Sequence, residues 1–454
     1  MTRLVDLRDA LAAGRTTSTA LVEAALERAR DPAGEGPRVY LTRYDEQALA
    51  AAAAVDAQRG RGEPAPPWAG IPVSVKDLFD RAGETTRAGS RILAGAPAAR
   101  RTAPAIERLL AAGFIPVGRT NMTEFAYSGL GLNPHYGTPR NPFEREVGRI
   151  PGGSSSGAAV SVTDGMAAAA IGTDTGGSCR IPAALTGLTG FKPTADRIPR
   201  EGVYPLSPSL DSVGPLAHSV SCCAVIDDVL AGGRGESPQP PTASTLRLAV
   251  LTHYVTDDLE PAVADAYGNA LRRLAQAGAD LVDLSLPEIE VLPTLNAGGG
   301  LVAAEAYAHH QAQLATAAEQ YDPRVADRIA AGAAIDAARV AEIRRERVRL
   351  VGAFAAAMDG FDALLAPTVP IVAPPLGALG TDSEYVRLNL LVLRNPSLVN
   401  VLDGCAVTVP IHDAGEAPVG LMMAAPGGRD RRLLGIAEAV EGIVRRVEVP
   451  QAFG

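Results

Sequence analysis

PGGSSSGAAVSV (151–162) and, after a small apolar run, IGTDTGGSCRIPAALTGLTGFKP (171–193) hold three consecutive serines and a further serine, Ser178, behind a Gly-Gly pair. Glycine at this density marks backbone that turns tightly or approaches a ligand closely, and such backbone is a usual source of inward-pointing N–H groups. Ser178 follows Asp174-Thr175-Gly176-Gly177. Unencumbered N–H groups of the kind that stabilise a developing oxyanion are therefore expected around its hydroxyl.

A serine nucleophile needs a base. None of the six histidines (His135, His218, His253, His309, His310, His412) lies in these segments. The chain has only two lysines, Lys76 and Lys192, among 42 Lys plus Arg residues. Arginine cannot give up its proton in a protein, whereas a desolvated lysine can. Both lysines are thus candidate bases. Lys76 ends the β-branched run of GIPVSVKD (70–77), which reads as a strand entering the core, and Lys192 precedes a proline in GFKPT.

GIPVSVKD, PGGSSSG and GTDTGGSCRIPAALTGLTGFKPT together resemble the amidase signature family, convincingly over about 70–215. The later SLVNVLDGCAVTVP and APVGLMMAAP segments agree with it. The resemblance implies an α/β fold in which a mixed central β-sheet is sandwiched between helices, one domain spanning 1–454, and a variable, substrate-shaping helical region at about 299–403. It also implies a Ser, cis-Ser, Lys triad. The nucleophile maps onto Ser178, the bridging serine onto Ser154 behind a cis peptide bond, and the base onto Lys76. The oxyanion hole falls on the backbone of Thr175, Gly176, Gly177 and Ser178. Where this chain has Asp196 the family pattern usually has glycine.

Other readings of the same residues stand beside this one. Gly153-Ser154-Ser155-Ser156-Gly157 also fits a G-x-S-x-G nucleophile elbow with Ser155 as nucleophile, but an elbow needs a strand directly before it, and FEREVGRIPGG is charged and carries Pro151. Lys192 reads as a structural lysine. Asp174 and Arg180 read as an ion pair that holds the loop, with Arg180 reaching a substrate carboxylate as the alternative. His309-His310 with Glu305 suggests a metal site only weakly, since adjacent histidines point to different helix faces and no third ligand follows at helical spacing. No metal and no cofactor are expected. Asp403 and Cys405 either approach the site or pack.

The net charge of −9 and the absence of basic blocks argue against nucleic acid as a partner. No stretch has the length of a membrane span and the N-terminal segment lacks a signal-peptide core, so a cytoplasmic protein without membrane contact is expected. The four cysteines (Cys179, Cys222, Cys223, Cys405) are too irregularly spaced for a disulfide framework. They read as buried thiols.

Along the chain, apolar spacing predicts two helices within 3–31, a helix at 45–60, a strand at 71–75, a helix at 102–112 and a strand at 114–118. Segment 120–125 resembles a pocket-lining part of the family. Ser207, Ser209 and Asp211 fall on turns before a helix at about 219–230, and 232–245 reads as an exposed connection. A βαβ-like unit runs from RLAVLT through DLVDLSL, 299–358 is nearly all helix, and FDALLAPTVPIV holds a buried strand.

The functional expectation is a hydrolase that cleaves a C–N bond of a small-molecule carboxamide, anilide, carbamate or ureido substrate through an acyl-enzyme; a homodimer is left open. Two alternatives differ in class. One is the A subunit of a glutamyl-tRNA amidotransferase, acting as a glutaminase. The other is a non-enzymatic anion-binding module, which the lack of any phosphate-loop motif disfavours.

Overall fold

A computed structural model describes residues 3–448 and Phe453. Among these residues eleven strands form one mixed sheet: β1 (Tyr40–Arg43), β2 (Pro72–Lys76), β3 (Ile115–Thr120), β4 (Ala169–Asp174), β5 (Thr189–Lys192), β6 (Ser212–Ala217), β7 (Arg247–Leu251), β8 (Asp280–Leu284), β9 (Ala363–Pro367), β10 (Cys405–Pro410) and β11 (Gly420–Ala425). Their spatial order is β1-β3-β2-β4-β6-β5-β10-β11-β9-β7-β8. β2 runs parallel to β3 and β4, and β7 parallel to β8 and β9, while the pairs between these groups are antiparallel. This is the mixed α/β architecture that the sequence led us to expect.

The central strands are short and covered on both faces, so the period-2 alternation appears as a choice between two apolar layers. Ala169 and Ile171 of β4 face the layer that contains Val225, Ile226, Ile436 and Val440. Ala170, between them, packs with Ala158, Ala159, Cys179 and Ala183. Helices Val220–Leu230 and Asp430–Val444 thus cover one face. The short helices Ser156–Thr163 and Arg180–Thr186 cover the other, directly over β4.

The expected N-terminal helices are Leu4–Ala12 and Ser18–Arg30, the second capped by the Thr17 hydroxyl, which accepts from Ala20 N–H. The helical region after 299 is divided in two places, into Gly300–Ala317, Pro323–Ala330 and Ala337–Ala357. Asp322 and Asp336 accept from the first-turn N–H groups of Arg324 and Arg339, and Pro323 sits at the first helical position, where its missing N–H costs nothing. Capping chemistry, read locally, places both breaks.

The connection at 232–245 is tied down more than its Pro/Gly composition suggests. The Asp228 carboxylate accepts from Gly235 and Glu236 N–H, and Trp68 Nε1–H donates to Arg234 C=O. Among the described residues no helix is long and apolar enough to cross a membrane.

Candidate active site

β2 and β4 are parallel neighbours with Val75 opposite Ile171, so both deliver their C-terminal ends to the same edge of the sheet. Ligand sites of α/β sheets collect at such ends, because each strand leaves the sheet there through a loop. Lys76 is the last residue of β2 and Asp174 the last of β4. The GGSSSG turn closes over them, and the peptide bond Gly153–Ser154 is cis.

Lys76 is completely buried. Its Nζ lies 2.7 Å from Ser154 Oγ and 2.8 Å from Thr173 Oγ1. Removal from water disfavours the ammonium, and Asp174 and Asp211 only partly offset this, so the lysine is pushed down to about 8. Ser155 N–H donates to Ser178 C=O at 3.3 Å, which ties the serine turn to the second serine loop. Ser178 is 3% exposed.

The loop that carries Ser178 is built around Asp174. Its carboxylate accepts from Gly177 N–H (2.8 Å), Cys179 N–H (3.1 Å) and both Nε and Nη2 of Arg180 (3.0 and 2.9 Å), and from the Asn400 amide. Burial alone would push this carboxyl up, but the Arg180 guanidinium and the hydrogen bonds outweigh it and hold it well below the usual carboxylate range. Arg180 also donates to Pro396 C=O and Asn400 Oδ1. The ion pair therefore locks the loop to helix Asp382–Val401, and Arg180 is spent on that task rather than aimed at a ligand. Gly177 has φ +123°, and a Cβ there would stand 2.7 Å from both Ile181 and Pro396. Only glycine allows helix 382–401 this close.

Ser155 does not occupy an elbow. No strand precedes the turn, and its buried hydroxyl donates back to Thr173 C=O at 3.4 Å. Lys192 is buried at the end of β5, where its Nζ donates to Pro193 and Gly404 C=O (2.8 and 2.7 Å). Asp403 is turned outward to Arg347, and Cys405 opens β10 inside the sheet. All four cysteines are buried free thiols, and burial pushes the Cys179 thiol far up, which suits packing and not nucleophilic attack. Glu305 does not meet His309. It accepts from the hydroxyls of Ser207 and Ser209 and from Arg344, while His309 and His310 pack edge-on against Tyr204 and Phe125.

Next to this constellation lies a cavity of about 200 Å³. Thr173 and Thr175 form one wall, Leu78 and Ala126 another, and the stretch from Arg200 through Tyr204 and Asp211 to Val213 the rest. Asp211 is tied to the wall: its carboxylate accepts from the Thr175 hydroxyl (2.6 Å) and from Leu206 and Ser207 N–H. Burial pushes it up to about 6 despite those donors and the nearby Arg200. Sequence reasoning missed Thr173, Arg200, Tyr204 and Asn400 as site residues, and placed Asp211 only on a turn. Thr173 alone carried a signal, one position before Asp174. Of segment 120–125 none lines the cavity; Ala126 does, and Phe125 stacks behind Tyr204.

Comparison with known proteins agrees with this arrangement. The family model described as Amidase matches residues 20–434. The chain is 40% identical over 413 residues to the 2-amino-5-chloromuconic acid deaminase of Comamonas testosteroni, covering 89% of this chain and 88% of the relative. It is 35% identical to a 1-carboxybiuret hydrolase subunit of Pseudomonas sp. (strain ADP), covering 85% and 84%. A crystal structure of an amidase superposes with a TM-score of 0.87 at 32% identity, covering 97% of this chain and all of the other. A mixed sheet with serine loops at the ends of its parallel strands, matched across nearly the whole length, makes this chain a member of the amidase signature family, a hydrolase of carbon–nitrogen bonds in small amide-type compounds other than peptides.

Proposed function

We propose that Ser178 is the nucleophile, Ser154 the proton relay and Lys76 the base of an acyl-enzyme mechanism. The observation that carries this reading is the 2.7 Å contact between the Lys76 amine and the Ser154 hydroxyl inside a fully buried site. Neutral Lys76 takes the proton of Ser154 as Ser154 takes that of Ser178, and Ser178 Oγ attacks the carbonyl carbon of the scissile C–N bond. The tetrahedral oxyanion is met by backbone N–H groups of Thr175, Gly176 and Ser178; that of Gly177 already serves Asp174. Collapse breaks the C–N bond and the relay returns its proton to the leaving nitrogen. Water then cleaves the acyl ester by the same path in reverse.

We read the chain as one catalytic unit, a cytoplasmic enzyme that works singly or as a homodimer, with 299–403 shaping substrate choice. The four reduced, buried thiols support the compartment. The two named relatives act on an acid and on a carboxylated compound, and we extend that to this chain: its substrate is small and anionic. A sulfonyl fluoride, which traps activated serines, tests the mechanism. Peptide mapping should find the label on Ser178 and none after Ser178→Ala; a label on Ser155 would overturn the assignment. Hydrolysis of free glutamine in preference to other amides would instead favour the amidotransferase reading.

A further inference from the structure

We propose that Arg200 receives the carboxylate of the substrate and so decides which amides this enzyme accepts. The inference rests on the small anionic substrate proposed above. It goes further by naming the residue and the mode of selection.

The cavity beside the triad has two charged side chains in its lining, Arg200 and Asp211. Both Asp211 oxygens are engaged by the Thr175 hydroxyl and two backbone N–H groups, so this carboxylate is spent on holding the wall. Arg200 is held differently. Nη1 donates to Pro208 and Asp211 C=O, which fixes the guanidinium at the rim, and Nη2 donates to Asp196 at 3.0 Å. The Asp196 side chain is 91% exposed. An ion pair with so exposed a partner is weak, so a substrate carboxylate shielded by the cavity displaces it. Asp196 stands where the family pattern usually has glycine, so this counter-ion is a feature of this chain. The guanidinium fork matches the geometry of a planar carboxylate, the anionic group of the substrate proposed above.

The volume limits the remainder of the molecule. A dry cavity of roughly 150 Å³ admits benzene, so about 200 Å³ holds an acyl group of a few carbons and its carboxylate. Leu78, Ala126, Val203, Tyr204 and Leu206 give that acyl chain an apolar bed. The scissile carbonyl then lies toward Thr175 and Ser178 and the carboxylate toward Arg200. Compact ω-amido carboxylates fit this description.

The test uses succinamate, glutaramate and adipamate, each paired with its neutral diamide, on the wild type, Arg200→Gln and Arg200→Lys. Turnover is measured as kcat/KM, and binding to the Ser178→Ala background by calorimetry. Loss of a charge-assisted contact should weaken the best carboxylate about 10- to 100-fold after Arg200→Gln, leave its diamide within about 3-fold, and be partly restored by lysine. Equal losses on carboxylate and diamide would show that Arg200 only braces the 200–211 turn, and would overturn the proposal. So would a wild type that prefers the diamides or binds none of the carboxylates. Charge-selective binding without any turnover would sink the hydrolytic reading and leave Arg200 standing; turnover without charge selectivity would do the opposite.

Discussion

The two lysines of this chain make a controlled comparison. Each is the last residue of a central strand, Lys76 of β2 and Lys192 of β5. Each is fully buried, burial pushes each down to about 8, and Asp174 partly opposes the shift in both cases. They differ in what the amine touches. Lys76 meets two hydroxyls, Ser154 and Thr173; Lys192 meets two carbonyls, Pro193 and Gly404. A hydroxyl has a proton to give and a carbonyl has none. A lowered lysine pKa is thus necessary for a base and insufficient to identify one; the neighbour must be able to hand over a proton.

The largest expected effect breaks the comparison at Lys76. Lys76→Arg keeps the positive charge and cannot deprotonate, so kcat/KM should fall by about 10³-fold or more, the scale of general-base catalysis. Turnover within tenfold of wild type would remove lysine from the mechanism.

Lys192→Met should show the reverse pattern. It leaves two buried carbonyls without a donor, at about 1–3 kcal/mol for each such group, so the urea midpoint should drop clearly while kcat stays within about fivefold. A loss of rate comparable to that of Lys76→Arg, with stability unchanged, would make the two sites equivalent and void the distinction.

The smallest effect is the most specific. Below its pKa Lys76 is protonated and cannot act as a base, so kcat/KM should rise tenfold per pH unit and level off near pH 8. Lys192→Met should leave that midpoint in place. Thr173→Val removes a hydroxyl that accepts from the ammonium form, which disfavours the charged lysine; the midpoint should move to lower pH by less than about one unit, with a fall of roughly tenfold in the plateau rate. A midpoint that follows Lys192 would assign the titration to the wrong lysine.

The sequence by itself determined what chemistry was on offer. Lysine is rare here, serines cluster against glycine, and histidine is absent from both segments, so two lysines and the serine loops stand out from the residues alone, and the resemblance to the amidase signature family singles out Lys76, Ser154 and Ser178 among them. A helix cap such as Thr17 is local chemistry of the same kind, because capping is a contact between residues three positions apart. The strands around the serines were not: β4 and β5 lie in glycine- and alanine-rich segments where composition masks the two-residue period, and only pairing with β2, β6 and β10 makes them strands. Tertiary structure alone decided the neighbours. Thr173 is a common residue until β2 lays Lys76 beside it, and Asn400 is a helical asparagine until helix 382–401 brings it onto Asp174. Arg200 is one of the many arginines of the chain until the 200–211 segment turns it onto the rim of the cavity. Chemical identity is carried by each residue and can be read in place, whereas proximity is made by contacts across 97 and 226 residues, and no local pattern in the chain encodes them.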